Sequence, residues 1–267
     1  MIKKRTVLIT GAGSGLGKMA AISLARRGHK VYATALYEEE VNKLNDIARK
    51  NNLDIISFKL DIRLPKDRDK LNFISFDTLI NNAAIGDSGS ISEIHISRIK
   101  NVFDTNVFSN IEITKVAIKK FIKMGYGKII FIGSLAGRIA IEFLAPYCMS
   151  KFSIEAIAEC LRQELKKIEY ANIKVKLIEP GAYATGFNKE NYLKKYEWMK
   201  NSSYFKFRLD TLKYKEERTW NFIESKNFKS IIKKYVKAVE ANNNKFRYSA
   251  PFIQYIFTKL RVLFGIS

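Results

Sequence analysis

Thr10-Gly11-Ala12-Gly13-Ser14-Gly15-Leu16-Gly17 is the stretch whose reading decides the fold. It follows a short apolar run, residues 6–10, and opens an amphipathic segment, residues 16–27. Glycines at such a strand-to-helix junction permit a tight turn and let the backbone approach a pyrophosphate closely. The helix that follows offers free N–H groups and the positive end of its dipole. A P-loop is the rival phosphate cradle, and it requires Gly, four residues, then Gly-Lys-Ser/Thr. Gly17-Lys18 is present, but Ala12 and Met19 occupy the two ends of that pattern, so the P-loop is excluded.

Outward from this turn, short apolar runs alternate with helical stretches. The expected strands are residues 6–10, 30–34, 54–59, 77–81, 128–132 and 173–178, all nearly continuous in Val, Ile and other apolar residues. Such runs suit a parallel sheet covered on both faces. Between them lie helical segments at 16–27, 38–50, 96–123 and 147–167. In the second, Val41, Leu44, Ile47 and Ala48 share one face. Repeated β–α units imply right-handed crossovers and an α/β, doubly wound parallel sheet of Rossmann type. No linker or repeat interrupts the chain, so one domain is expected over residues 1–267. The stretch between Asp61 and Asp77 leaves room for only about two helical turns. Residues 186–228 are rich in aromatic and charged side chains and read as helical. They form either a lid over the ligand crevice or an extra packing pair. A last strand near 246–249 and a C-terminal helix, 252–264, close the chain.

The composition narrows the function classes. With 47% apolar and 12% aromatic residues, the 267-residue chain can bury a sizeable core. No run of about 18 uncharged apolar residues signals a membrane span. The apolar stretch after the basic start is shorter than the ~7–15 residues of a signal peptide's core. Cys148 and Cys160 make no disulfide framework, and no Cys/His cluster suggests a metal. A cytoplasmic location fits. The net charge of +21 is spread along the chain without a nucleic-acid motif, so no nucleic-acid partner is expected. A solvated basic surface that also attracts cofactor phosphates accounts for it.

Tyr147 and Lys151 stand four residues apart, on one face of a helix. A free tyrosine has a pKa of about 10, and a nearby ammonium favours its phenolate. The pair is therefore a candidate proton donor to an alkoxide formed by hydride transfer.

Taken together, the glycine turn, this pair and their spacing make the chain resemble the single-domain branch of the short-chain dehydrogenase/reductase family. The likeness runs up to Thr185. It rests on Thr10 to Gly17, Asp61, Asn81-Asn82-Ala83-Ala84 (where the family has NNAG), Asn106 in DTNVF, Ser134 in FIGSLAG, Tyr147 to Lys151 and Pro180-Gly181. The resemblance implies catalytic roles for Asn106, Ser134, Tyr147 and Lys151. Ser134 would polarise the substrate oxygen, Tyr147 exchange the proton, Lys151 lower the tyrosine pKa and bind the nicotinamide ribose, and Asn106 hold a relay water. It implies cofactor contacts from Thr10, Gly11, Ser14, Gly15, Leu16, Gly17, Asp61, Ile62, Asn82, Ala83, Ala84, Tyr147, Lys151, Pro180, Gly181 and Thr185. It also implies a homodimer or homotetramer paired through the helices at 96–123 and 147–167. Ile154, Ile157 and Leu161 offer an apolar face either for that pairing or for the protein's own sheet.

Cofactor choice is read at the end of the second strand, where NAD-binding members carry an acid. Ala35 stands there, which tips the expectation to NADP over NAD, although Arg or Lys is also absent from Leu36 and Ser14. The aromatic lid and the apolar stretch Phe252, Ile253, Tyr255, Ile256, Phe257 and Leu260 resemble those of hydroxysteroid and retinol dehydrogenases. They suggest a lipophilic carbonyl or alcohol substrate. The C-terminal helix, with Lys259 and Arg261 among apolar residues, either packs against the protein or a partner, or makes weak contact with a membrane surface. An α/β serine hydrolase is excluded, because no Gly-x-Ser-x-Gly elbow occurs. A catalytically silent NAD(P)-binding sensor or scaffold is the alternative. It would usually have lost one of Ser134, Tyr147 or Lys151.

Overall fold

The computed structural model describes residues 3–265, so the two outermost residues at each end of the expected domain lie outside the description. Seven strands form one sheet: β1 (Thr6–Ile9), β2 (Lys30–Ala35), β3 (Ile55–Lys59), β4 (Thr78–Asn81), β5 (Tyr126–Ile132), β6 (Asn172–Pro180) and β7 (Arg247–Ala250). Every pairing is parallel, in the order β3-β2-β1-β4-β5-β6-β7. The order reverses between β1 and β4, the switch point at which sheets of this kind bind ligands beyond the strand ends. This is the doubly wound Rossmann architecture, and each expected strand lies within two residues of its expected bounds.

Alternation along the strands divides the core in two. Val7 and Ile9 face one layer with Ile80 and Ile130; Leu8 faces the other with Leu79, Ile129 and Phe131. The first layer is closed by α1 (Gly15–Arg26), α2 (Glu38–Lys50) and a later helix, Lys229–Glu240, that the sequence reading did not single out. The third crossover is as short as expected: α3 (Pro65–Asp69) runs into a 3-10 turn, Lys70–Phe73.

The long helix expected at 96–123 is broken. α4 (Ile96–Phe103) passes through a π-helical turn, Asp104–Phe108, into α5 (Ser109–Met124). α6 (Ala145–Leu165) buries Ile154, Ala158 and Leu165 in the second core layer. Ile157 and Leu161 pack against that same layer, so the apolar face proposed for subunit pairing is turned to the protein's own sheet. The segment after β6 folds as α7 (Phe187–Trp198) and α8 (Leu209–Ile223). These are followed by α9 (Lys229–Glu240), β7 and α10 (Phe252–Phe264).

Candidate active site

The glycine turn is held by side chains from distant strands. Thr10 at the end of β1 is buried, and its hydroxyl accepts the backbone N–H groups of Asn82 and Ala83, both at 3.1 Å. Asn82 in turn donates to the carbonyls of Thr10 and Gly11 at 2.9 Å each. Its amide oxygen accepts from the hydroxyl of Tyr235 on α9 at 2.9 Å. Asn82 therefore works here as a staple across the switch point. Gly11 has φ +63°, and a Cβ there would lie 2.7 Å from Cα of Ala83. A Cβ on Gly17 would lie 2.5 Å from both the Asn82 amide nitrogen and the Gly11 carbonyl. Only bare backbone fits this corner. Ser14 is exposed, Leu16 packs on the core, and the first turn of α1 carries no acid to compete for its N–H groups. The cradle fits the pyrophosphate of a dinucleotide.

After β3, Ile62 is buried and Asp61 is paired with Arg63, whose Nη2 lies 2.7 Å from its Oδ2. That bond holds the Asp61 carboxyl below its ordinary range. Two donors of the Arg63 fork, Nε and Nη2, both go to Asp61. The sequence reading missed Glu40. Its carboxylate lies against Gly13, where a Cβ would overlap it, and Glu38 and Glu39 share the same first turn of α2.

Ser134, Tyr147 and Lys151 converge at the ends of β5 and β6. Ser134 follows β5; its hydroxyl accepts from the Ala136 N–H at 3.1 Å and donates to the Pro180 carbonyl at 3.4 Å. Tyr147 and Lys151 lie on the first turns of α6, with the Lys151 Nζ 5.6 Å from the centre of the Tyr147 ring. Lys151 is buried and donates to the Ile132 carbonyl at 2.8 Å. The expectation that Lys151 lowers the tyrosine pKa is corrected here. Burial pushes the Tyr147 phenol up to about 12, and the side chain that pulls it back is the Ser134 hydroxyl. Burial likewise brings Lys151 down to about 8, against the favourable field of Glu155. An ammonium that is itself poorly solvated and held by a carbonyl leaves the phenol protonated at neutral pH.

Asn106 sits in the π turn. Its amide oxygen accepts from the Ile85 N–H at 2.8 Å, and its nitrogen donates to the Ile85 carbonyl at 2.8 Å and to Ser150 Oγ at 3.0 Å. The extra backbone residue of a π turn, a device common at functional sites, carries this side chain between the loop after β4 and the start of α6. Asn106 thereby ties the helix bearing Tyr147 and Lys151 to the segment Ala83, Ala84 and Ile85.

Glu155, one turn beyond Lys151, is a second residue the sequence reading missed. It forms an ion pair with Arg247, which also reaches Glu179 at 3.3 Å and Glu159 at 3.1 Å. Its other carboxylate oxygen is buried without a hydrogen-bond partner. Burial and the neighbouring Glu179 push Glu155 up to about 7. Tyr147, Lys151 and Glu155 thus follow one another at four-residue steps on α6.

Beyond β6, the Gly181 N–H donates to the Ala250 carbonyl at 2.7 Å. Thr185 comes within van der Waals reach of a Cβ placed on Gly15, at 3.7 Å, so the base of the α7 segment meets the glycine turn. Phe187 lies 5.6 Å from Tyr147. An apolar cluster of Leu144, Cys148 and Tyr192, flanked by Tyr147, Leu193 and Trp220, joins the α6 start to α7 and α8.

A family model described as short chain dehydrogenase matches residues 5–195, and the chain belongs to that family. An uncharacterised oxidoreductase of Bacillus subtilis (strain 168) is 34% identical over 203 residues, 73% of this chain and 57% of that protein. The chain thus spans little more than half of that relative. A 3-ketodihydrosphingosine reductase of Bacteroides thetaiotaomicron is 29% identical over 97% of this chain and 92% of its own length. Among solved structures, a short-chain dehydrogenase from Burkholderia phymatum in complex with NAD superposes with a TM-score of 0.82. It covers 97% of this chain and 93% of that one at 19% identity, a likeness of fold.

Proposed function

We propose that the protein reduces a lipophilic ketone, with a long-chain keto lipid of the 3-ketodihydrosphingosine kind as the substrate to test first. The observation that carries this reading is the apolar cluster of α6, α7 and α8 packed against Tyr147, with Phe187 against its ring. The full-length likeness to the Bacteroides reductase supports the same substrate class. Residues 186–228 act as the lid of one nicotinamide-binding domain. The chain works in the cytoplasm as a homodimer or homotetramer; Phe108 at the end of the π turn, with Met149 and Phe152 on α6, are exposed and support pairing between copies.

The nicotinamide, when bound, supplies the hydride that attacks the carbonyl carbon. Ser134 donates a hydrogen bond to the carbonyl oxygen and favours the charge that develops on it. Tyr147, protonated at neutral pH, gives its phenolic proton to that oxygen as the C–H bond forms. Lys151 holds the ribose and returns a proton toward Tyr147 while it remains an ammonium. Asn106 positions α6 through its bonds to Ile85 and Ser150.

For the cofactor, the missing acid at Ala35 favours NADP, whereas the Glu40 carboxylate against Gly13 disfavours an added 2′-phosphate. We weigh NAD above NADP on that ground. The test is dihydronicotinamide oxidation with either cofactor against 3-ketodihydrosphingosine, retinal, ketosteroids and short water-soluble ketones. Turnover confined to the short polar ketones would overturn the lipophilic reading. Tight cofactor binding with no turnover of any carbonyl would favour a silent sensor.

A further inference from the structure

Helix α10 is amphipathic the wrong way round for a helix on the surface of a globular protein. Its Gln254 and Thr258 face the protein. Gln254 accepts the Ala182 N–H at 2.7 Å and donates to the Ile223 carbonyl at 2.7 Å, and Thr258, one turn on, is only 3% exposed. Its large apolar residues face outward: Phe252, Ile253, Ile256, Phe257, Leu260 and Leu263. Ile253 is 82% and Leu263 70% exposed. At about 100° per residue these six cover an arc of roughly 140°. Lys259 and Arg261 fall on its two flanks, and α10 holds no Asp or Glu. Phe222, 89% exposed, stands beside Ile223, whose carbonyl Gln254 holds, and extends the apolar ground onto α8.

We propose that α10 docks the protein onto an anionic lipid bilayer, lying in the interface with its apolar arc among the acyl chains. Two features select a membrane over a second copy of the chain. Cations flank the apolar arc on both sides, the placement in which long basic side chains reach headgroup phosphates while their stems stay in apolar surroundings. Residues 226–267 carry nine Lys and Arg against a single acid, Glu240, within a chain of net charge +21. A second copy would bring the same positive charge to the same place. The helix is too short to cross a bilayer, and none of the described helices is long and apolar enough to do so. Docking also has an address. Gln254 ties α10 to Ala182, next to Pro180-Gly181, and to the end of α8. A membrane under α10 therefore lies against the edge of the lid.

The experiment is co-sedimentation of the full chain with phosphatidylcholine vesicles, with and without about a third phosphatidylglycerol, at low and physiological salt. Binding is read without turnover, so it stands or falls apart from the proposed reaction. At least tenfold stronger binding to the anionic vesicles is expected, weakening with salt. The double variant I253D/F257D should lose at least tenfold of it while keeping its circular dichroism and cofactor affinity. Lys259→Gln should weaken binding severalfold to anionic vesicles alone. Absence of vesicle binding, with I253D/F257D instead turning an oligomer into a smaller species by light scattering, would overturn the proposal in favour of self-association. Equal binding to both vesicle types would overturn the electrostatic part and with it the choice of partner.

Discussion

The glycine corner and the outer helices α8 and α10 treat their side chains in opposite ways. At the corner, Thr10, Asn82 and Tyr235 are polar, largely shielded, and bonded to one another or to the backbone. On the outer helices, Phe222, Ile253 and Leu263 are apolar and bare. A shielded hydrogen bond cannot be altered without leaving a partner unsatisfied, so the corner tolerates little change. An exposed apolar side chain costs the folded monomer little when replaced, and its value lies in what later covers it. The family match follows this division, ending at residue 195, just inside the lid.

That contrast can be broken in order of expected effect. Tyr147→Phe removes only the hydroxyl, so kcat should fall by ~10²–10⁴-fold with cofactor affinity changed little. A variant retaining most of its turnover would show that the acid lies elsewhere. Asn82→Ala strands the Tyr235 hydroxyl and two carbonyls; urea unfolding should report a loss of about 1–3 kcal/mol and weaker cofactor binding. Phe222→Ser, by comparison, should stay within about 0.5 kcal/mol of the parent. Equal losses in the two would erase the distinction between the regions.

The pH dependence sharpens the picture inside the corner. Lys151 must carry its proton, and its pKa is about 8, so reductive kcat should fall as pH rises through 8. The Glu155 carboxylate raises that value, so Glu155→Gln should move the fall to lower pH. An unmoved profile would separate Glu155 from Lys151. The smallest effect is expected at Glu40. Glu40→Gln should shift the ratio of NADPH to NADH efficiency upward about fivefold, the equivalent of ~1 kcal/mol for one partly screened charge.

Much of this was legible in the sequence because parallel strands buried on both faces write themselves as unbroken runs of Val and Ile. The glycine turn could be placed for the same reason: it follows the first such run. Other features left no such trace. The π turn at Asp104–Phe108 inserts one residue into a helix whose periodicity looks continuous, and the bonds of Asn106 within it, to Ile85 and Ser150, join residues far apart in the chain. Tyr235 lies on an amphipathic helix, where a tyrosine that bonds Asn82 looks like any core aromatic. Glu40 follows two other glutamates on a helix start, a place where acids are favoured for the dipole alone. The raised pKa of Tyr147 depends on burial, which spacing to Lys151 does not reveal.

The Tyr235–Asn82 hydrogen bond also bears on how the chain is made. It joins residues 153 apart. At a synthesis rate of ~5–20 residues per second, Asn82 leaves the ribosome roughly 8–30 s before its partner. During that interval the inner face of α1 is without Ile231, Tyr235 and Val239, which later complete its core layer. The nascent chain thus carries an unfinished dinucleotide corner and an uncovered apolar sheet face, which makes this stage the one at which chaperone capture or aggregation has its best opportunity.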